Sequence, residues 1–109
     1  MKEEIKVTRS SGNVFKDLGL ENSDELAARS DMITAISKII KERGLKQADV
    51  AEIVGLTQAD VSRLTHGIVN RFSTDRIMQV LTRLGHDVEI VIKPKPARRA
   101  AGRVSVKAA

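Results

Sequence analysis

His66 and His86 are the only imidazoles in the chain, and there is no cysteine, tyrosine or tryptophan. Acid–base catalysis needs a positioned partner beside such a ring, and thiol catalysis or a thiolate metal site needs a sulfur. The sequence also lacks a glycine-rich phosphate loop and any carboxylate cluster at catalytic or metal-ligand spacing. The expectation is a protein without catalytic activity, metal or cofactor. His86, directly after Gly85, reads as a surface turn residue.

The chemistry that remains is ionic. From Lys93 onward six basic residues (Lys93, Lys95, Arg98, Arg99, Arg103, Lys107) occur without an acid, leaving 13 basic and 14 acidic residues before them. The net charge of +5 therefore sits in the tail, over a nearly neutral body. Such a tail suits a polyanion, nucleic acid first among them, although a merely solubilising tail has the same composition.

The elements that hold these groups must come from 109 residues, enough for one modest domain and too few for a two-domain enzyme. A core of this size leaves a thin stability margin, so sharing a core between subunits is expected. The absence of cysteine fits a reducing compartment. No apolar run approaches the roughly 20 residues that span a bilayer. The opening MKEEIKVTRS lacks a signal peptide's apolar core. These point to the cytoplasm, with no membrane partner.

Residues 1–21 read as an arm, with Ile5 and Val7 in alternation and Val14, Phe15, Leu18 and Leu20 as an apolar cluster that docks through Phe15. Asn22 and Glu25 form a capping-box pattern, and Leu26, Ile33, Ile36 and Ile40 recur at helical spacing, so a helix is predicted from Ser23 to Arg43, ended by Gly44. Two short helices come next, around Gly55. The first, Gln47 to Val54, carries Val50, Ala51, Ile53 and Val54; the second is capped by Thr57, faces inward at Val61 and Leu64, and closes at Gly67. After a linker from Ile68 to Phe72, Ser73 heads a helix with Ile77, Val80, Leu81 and Leu84 on one face.

At Asp87 the period changes. Val88, Ile90 and Ile92 point one way and Glu89, Val91 and Lys93 the other, the alternation of a strand stopped by Pro94. One strand cannot satisfy its own backbone, so it must pair with the 5–8 segment, with 104–106 or with its copy in a second subunit. Pairing across a dimer is the favoured expectation, with Val88, Ile90 and Ile92 as the interface. The chain thus divides into an arm (1–21), a domain with its terminal strand (22–93) and a basic flexible tail (94–109) that orders on binding.

The span Gln47 to Gly67, QADVAEIVGLTQADVSRLTHG, resembles the helix-turn-helix of the phage repressor and Cro family, the Xre family. Gln47 opens the first helix, Ala51 is the small residue where the helices cross, Gly55 makes the turn, and Val61 and Leu64 anchor the second helix. The resemblance implies an all-α, lambda repressor-like bundle of about five helices plus the C-terminal β-strand paired across a dimer. It also implies that helix 57–66 lies in the DNA major groove.

Carried over by position, Gln58 and Arg63 are the implied base readers, glutamine for adenine and arginine for guanine. Ala59 offers only apolar contact to a thymine methyl. Gln47, Thr57 and Ser62 are implied phosphate or groove contacts, and Asn70 and Arg71 loop contacts. Each has a plainer reading: Thr57 as an N-cap, Gln47 and Ser62 as solvated residues, Arg71 as Asp75's partner. His66 touches phosphate or complements its helix dipole. Asp60 serves its helix's positive end or accepts from a cytosine amino group.

More loosely, NVFKDLGL, RFSTDRIMQVLTRLG and DVEIVIKPKP resemble the HigA-like antitoxins, which pair with ribosome-dependent RNase toxins. Two functions are implied. One is a dimeric repressor that reads a pseudo-palindromic operator in double-stranded DNA. The other is an antitoxin that inhibits a protein toxin and autoregulates its operon. Phe15 and Phe72 are the only aromatic residues, too few for a single-strand stacking platform, which favours duplex DNA.

Overall fold

Gly44, Gly55, Gly67 and Gly85 punctuate the chain, and the computed structural model, which describes residues 23–108, has a helix ahead of each. These are α1 (Ser23–Arg43), α2 (Gln47–Val54), α3 (Gln58–Thr65) and α4 (Thr74–Arg83), with a single 3-10 turn at Val69–Arg71. Local chemistry explains the boundaries. α1 carries Asp24 and Glu25 in its first turn and Lys41 and Arg43 in its last, complementing the helix dipole at both ends. At the start of α4, Ser73 Oγ accepts from the Arg76 N–H at 3.2 Å.

One core serves all four helices. α1 packs on α3, α4 and the 3-10 turn, while α2 packs on α3 and α4. Ile36, Val50, Val61, Leu64 and Ile77 are the largest fully buried side chains. Each is worth about 1.5–3 kcal/mol against exposure. Together with Ile33, Val54, Val80, Leu81 and Leu84 they form a continuous apolar cluster.

Polar groups tie the helix ends across the core. Arg43 Nη1 donates to the Leu84 carbonyl at 2.7 Å, and Arg83 Nη1 donates to the Val54 carbonyl at 3.0 Å. Each guanidinium thereby serves the C-terminal carbonyls of a helix other than its own, which the helix itself leaves unpaired. At the opposite end Arg29 donates to both Glu25 of α1 and Thr74 of α4.

Several expectations need correction. The described residues hold four α-helices, and a fifth is not among them. The expected helix faces hold for α3 and α4, but in α1 the buried set is Ala28, Met32, Ile33, Ile36 and Ile39, with Leu26 and Ile40 only half-buried. In α2 Ile53 points outward. Phe72, read as linker, is buried in the core.

Residues 87–93 form no strand, and no strand occurs among the described residues. Alternation sets which side chains share a face but supplies no partner for the backbone. Val88 instead leans on its own core, while Ile90 and Ile92 are 74% and 92% exposed. Beyond them the chain turns, with the Arg99 N–H donating to the Pro96 carbonyl, and Val106 comes back against the core. Phe15, the arm and the Asn22 cap lie outside the described residues. No helix among the described residues is long and apolar enough to cross a membrane.

Candidate nucleic-acid interface

α2 and α3 are joined through a tight turn that begins on the Ala51 carbonyl. It accepts both the Gly55 N–H at 2.9 Å and the Leu56 N–H at 3.1 Å. Gly55 adopts φ +74°, a left-handed conformation that costs other residues strain, and a Cβ there would lie 2.7 Å from Arg83 Nη1. The turn glycine thus leaves room for the guanidinium that caps α2. Ala51 is half-buried against the core, as suits a small residue where two helices approach.

α3 starts at Thr57, whose Oγ1 accepts the Asp60 N–H at 3.1 Å. Val61 and Leu64, both at 0% exposure, fix the helix to the core and decide which side faces out. That outward side bears Gln58, Ala59 and His66, all exposed, with Ser62 and Arg63 half-buried beside them. A helix carrying polar donors on one side and sealed apolar side chains on the other can be laid against a groove of hydrogen-bonding edges. The 3-10 turn after it exposes Asn70 and Arg71, and Gln47 is exposed at the start of α2.

The competing structural roles can be assigned. Thr57 is an N-cap through its side chain, which leaves the N-terminal N–H groups of α3 as its other polar resource. His66 Nδ1 lies 2.6 Å from the Ser62 carbonyl oxygen, so that nitrogen is the donor, and the ring complements the C-terminal end of its own helix. Arg71 and Asp75, both described, form no ion pair. Among the described residues no group of His, Cys, Asp or Glu could hold a metal ion.

Two further features of this surface emerge only from the structure. Asp60 pairs with Arg63, Oδ1 to Nη1, at 2.8 Å. The i,i+3 spacing of opposite charges was the available signal. Lys46 is the N-cap residue of α2 but contributes no side-chain cap, and it stands exposed beside Gln47. A cation next to the first residue of the leading helix was its signal.

A family described as "Helix-turn-helix domain" matches residues 14–93. A solved structure described as an XRE family transcriptional regulator is 39% identical, with a TM-score of 0.75, and the match covers 81% of this chain and 99% of that one. No curated protein matches. The chain is therefore a member of the XRE-type helix-turn-helix family.

Proposed function

We propose that this protein is a DNA-binding transcriptional regulator, a dimeric repressor that reads a pseudo-palindromic operator through helix 57–66. The observation that carries the reading is α3 itself: Val61 and Leu64 are sunk without exposure while Gln58, Ser62 and Arg63 remain accessible on the other side. The family match and the likeness to an XRE family regulator support the same reading.

In this mechanism Gln58 pairs with an adenine edge and Arg63 with a guanine, each pair contributing about 1–3 kcal/mol of discrimination. Gln47, Lys46, Ser62, Asn70 and Arg71, with the backbone N–H groups near Thr57, hold phosphates and set the register. The tail from Lys95 to Lys107 adds contacts that are blind to sequence. Two copies place their reading helices in successive major grooves about 34 Å apart, and repression results from occupancy.

Dimerisation is assigned to the exposed side chains of the 87–93 segment, Ile90 and Ile92, packed against a second copy, while Val88 stays with its own core. Among the described residues, four of the six exposed large apolar side chains lie beyond α4: Ile90, Val91, Ile92 and Val104. The same exposed segment supports the second reading, an antitoxin whose apolar C-terminal segment covers a protein toxin and whose DNA binding is autoregulation.

Selection of bound duplexes from a random pool tests the proposal. A palindromic consensus is expected, and failure to enrich any sequence overturns it. Ile90→Lys is expected to give monomers in sedimentation and to abolish tight operator binding; an intact dimer removes this segment from the interface. Retention of an RNase by a chain that also enriches a duplex favours the second reading.

A further inference from the structure

We infer that Asp60 is a specificity-determining positioning residue: its carboxylate holds the Arg63 guanidinium in place for base reading and keeps it off the phosphate backbone. This rests on the DNA-reading proposal for Arg63.

The geometry is specific. Asp60 stands at the third position of α3, after its N-cap Thr57. A carboxylate there commonly reaches back to the N–H of the cap residue, and Asp49 does so at the equivalent position of α2, accepting from the Lys46 N–H at 3.0 Å. Asp60 turns the other way along its helix and accepts from Arg63 Nη1 at 2.8 Å. At the start of α3 the side-chain cap comes from Thr57, whose Oγ1 accepts the Asp60 backbone N–H.

The pair is partly shielded, the Asp60 side chain at 21% and that of Arg63 at 41% exposure. The acidic partner is thus the more buried of the two, and the arginine side chain the more exposed. One of the five guanidinium N–H donors is occupied by Asp60, leaving a planar edge for the O6 and N7 acceptors of a guanine. A free arginine side chain near DNA has another option, since phosphates surround it and attract it without regard to sequence. The carboxylate opposes that option twice. It tethers the guanidinium, and its own charge repels phosphate.

Holding one rotamer-rich side chain in its working geometry is expected to change base discrimination by about 2- to 12-fold. Asp60→Asn removes the charge but leaves the backbone N–H that Thr57 caps, and Asp60→Glu restores a carboxylate within reach of Arg63. The experiment titrates wild type, Asp60→Asn, Asp60→Glu, Arg63→Ala and the Asp60→Asn/Arg63→Ala double variant against three probes: the selected consensus duplex, its single-base-pair variants and a random duplex.

Arg63→Ala should lose preference at one base pair per half-site. Asp60→Asn should lose about 2- to 12-fold of preference at that same base pair while binding random duplex more tightly than wild type. Asp60→Glu should recover part of the preference, and the double variant should discriminate no worse than Arg63→Ala. Unchanged discrimination in Asp60→Asn, or a loss spread evenly over all base pairs, overturns the positioning role and leaves base reading by Arg63 standing. Wild type that prefers no duplex overturns both. Helical circular dichroism of each variant separates these outcomes from unfolding, because a loss of fold lowers binding to random duplex, opposite to the expected gain.

Discussion

α2 and α3 open with the same four residues, QADV, at 47–50 and 58–61, and each runs for eight residues. The last residue of the repeat behaves alike in both, Val50 and Val61 being completely buried. From there the helices diverge. α2 buries Val54, four residues on, whereas α3 buries Leu64, three residues on. The aspartates diverge too, Asp49 capping its backbone and Asp60 holding Arg63. The difference teaches that identical helix starts acquire different work from the residues downstream of them. Glu52 stands three residues beyond Asp49 and repels it, while Arg63 stands three beyond Asp60 and attracts it.

The sharpest way to break this comparison is to truncate the paired positions Ile53 and Leu64, each the seventh residue of its helix. Leu64→Ala should cost about 2–5 kcal/mol, since it empties a fully enclosed site. Ile53→Ala should cost about 1 kcal/mol or less, because Ile53 is 38% exposed. Urea unfolding with matched slopes measures both. Equal losses would mean that the two helices seat on the core in the same register.

A smaller effect separates the glycines that end the two helices. Gly55 and Gly67 have nearly the same φ, +74° and +76°, but a Cβ at 55 meets Arg83 while a Cβ at 67 meets nothing. Gly67→Ala should therefore cost about 1–2 kcal/mol from backbone strain alone. Gly55→Ala should cost about 1 kcal/mol more, because Arg83 must give up its bond to the Val54 carbonyl. In an Arg83→Ala background the excess should vanish. If it persists, the penalty at Gly55 arises elsewhere in the turn.

Local signals account for the parts of the fold that are legible in the sequence. The bounds of α1 and α2 come from glycine and charge placement, and the inward pair Val61 and Leu64 from spacing within a single helix. The illegible parts depend on neighbours distant in sequence. α1 packs on three other elements, so its buried face is turned away from Leu26 and Ile40 toward the Ala28, Met32, Ile36 and Ile39 stripe, a choice between two apolar stripes that spacing within the helix does not make. Phe72 reads as linker until the 3-10 turn drops it onto the core. Arg43 and Arg83 act on carbonyls 41 and 29 residues away. A strand at 87–93 rests on alternation alone, and alternation is silent about whether a backbone partner exists. Within the interface, the outward set on α3 is legible because Val61 and Leu64 dictate it; Asp60's choice of Arg63 over its own helix end is not, since both are open to the same carboxylate.

The smallest expected effect concerns the two N-cap residues, and it separates stability from binding. Thr57 caps α3 with its side chain, so Thr57→Ala should lower stability by about 1 kcal/mol. Lys46 occupies the matching position on α2 without a side-chain cap; there Asp49 satisfies the backbone instead, and Lys46→Ala should leave the melting temperature nearly unchanged. Its ammonium is nevertheless exposed beside Gln47, at the end of α2 that the proposed mechanism lays across the DNA backbone. If it neutralises one phosphate, Lys46→Ala should reduce the slope of log affinity against log salt by about 0.9 per bound copy. Titrations at several salt concentrations give that slope directly. An unchanged slope would confine the phosphate contacts to α3, the 3-10 turn and the tail, and the two QADV helices would then differ in whether they touch DNA at all.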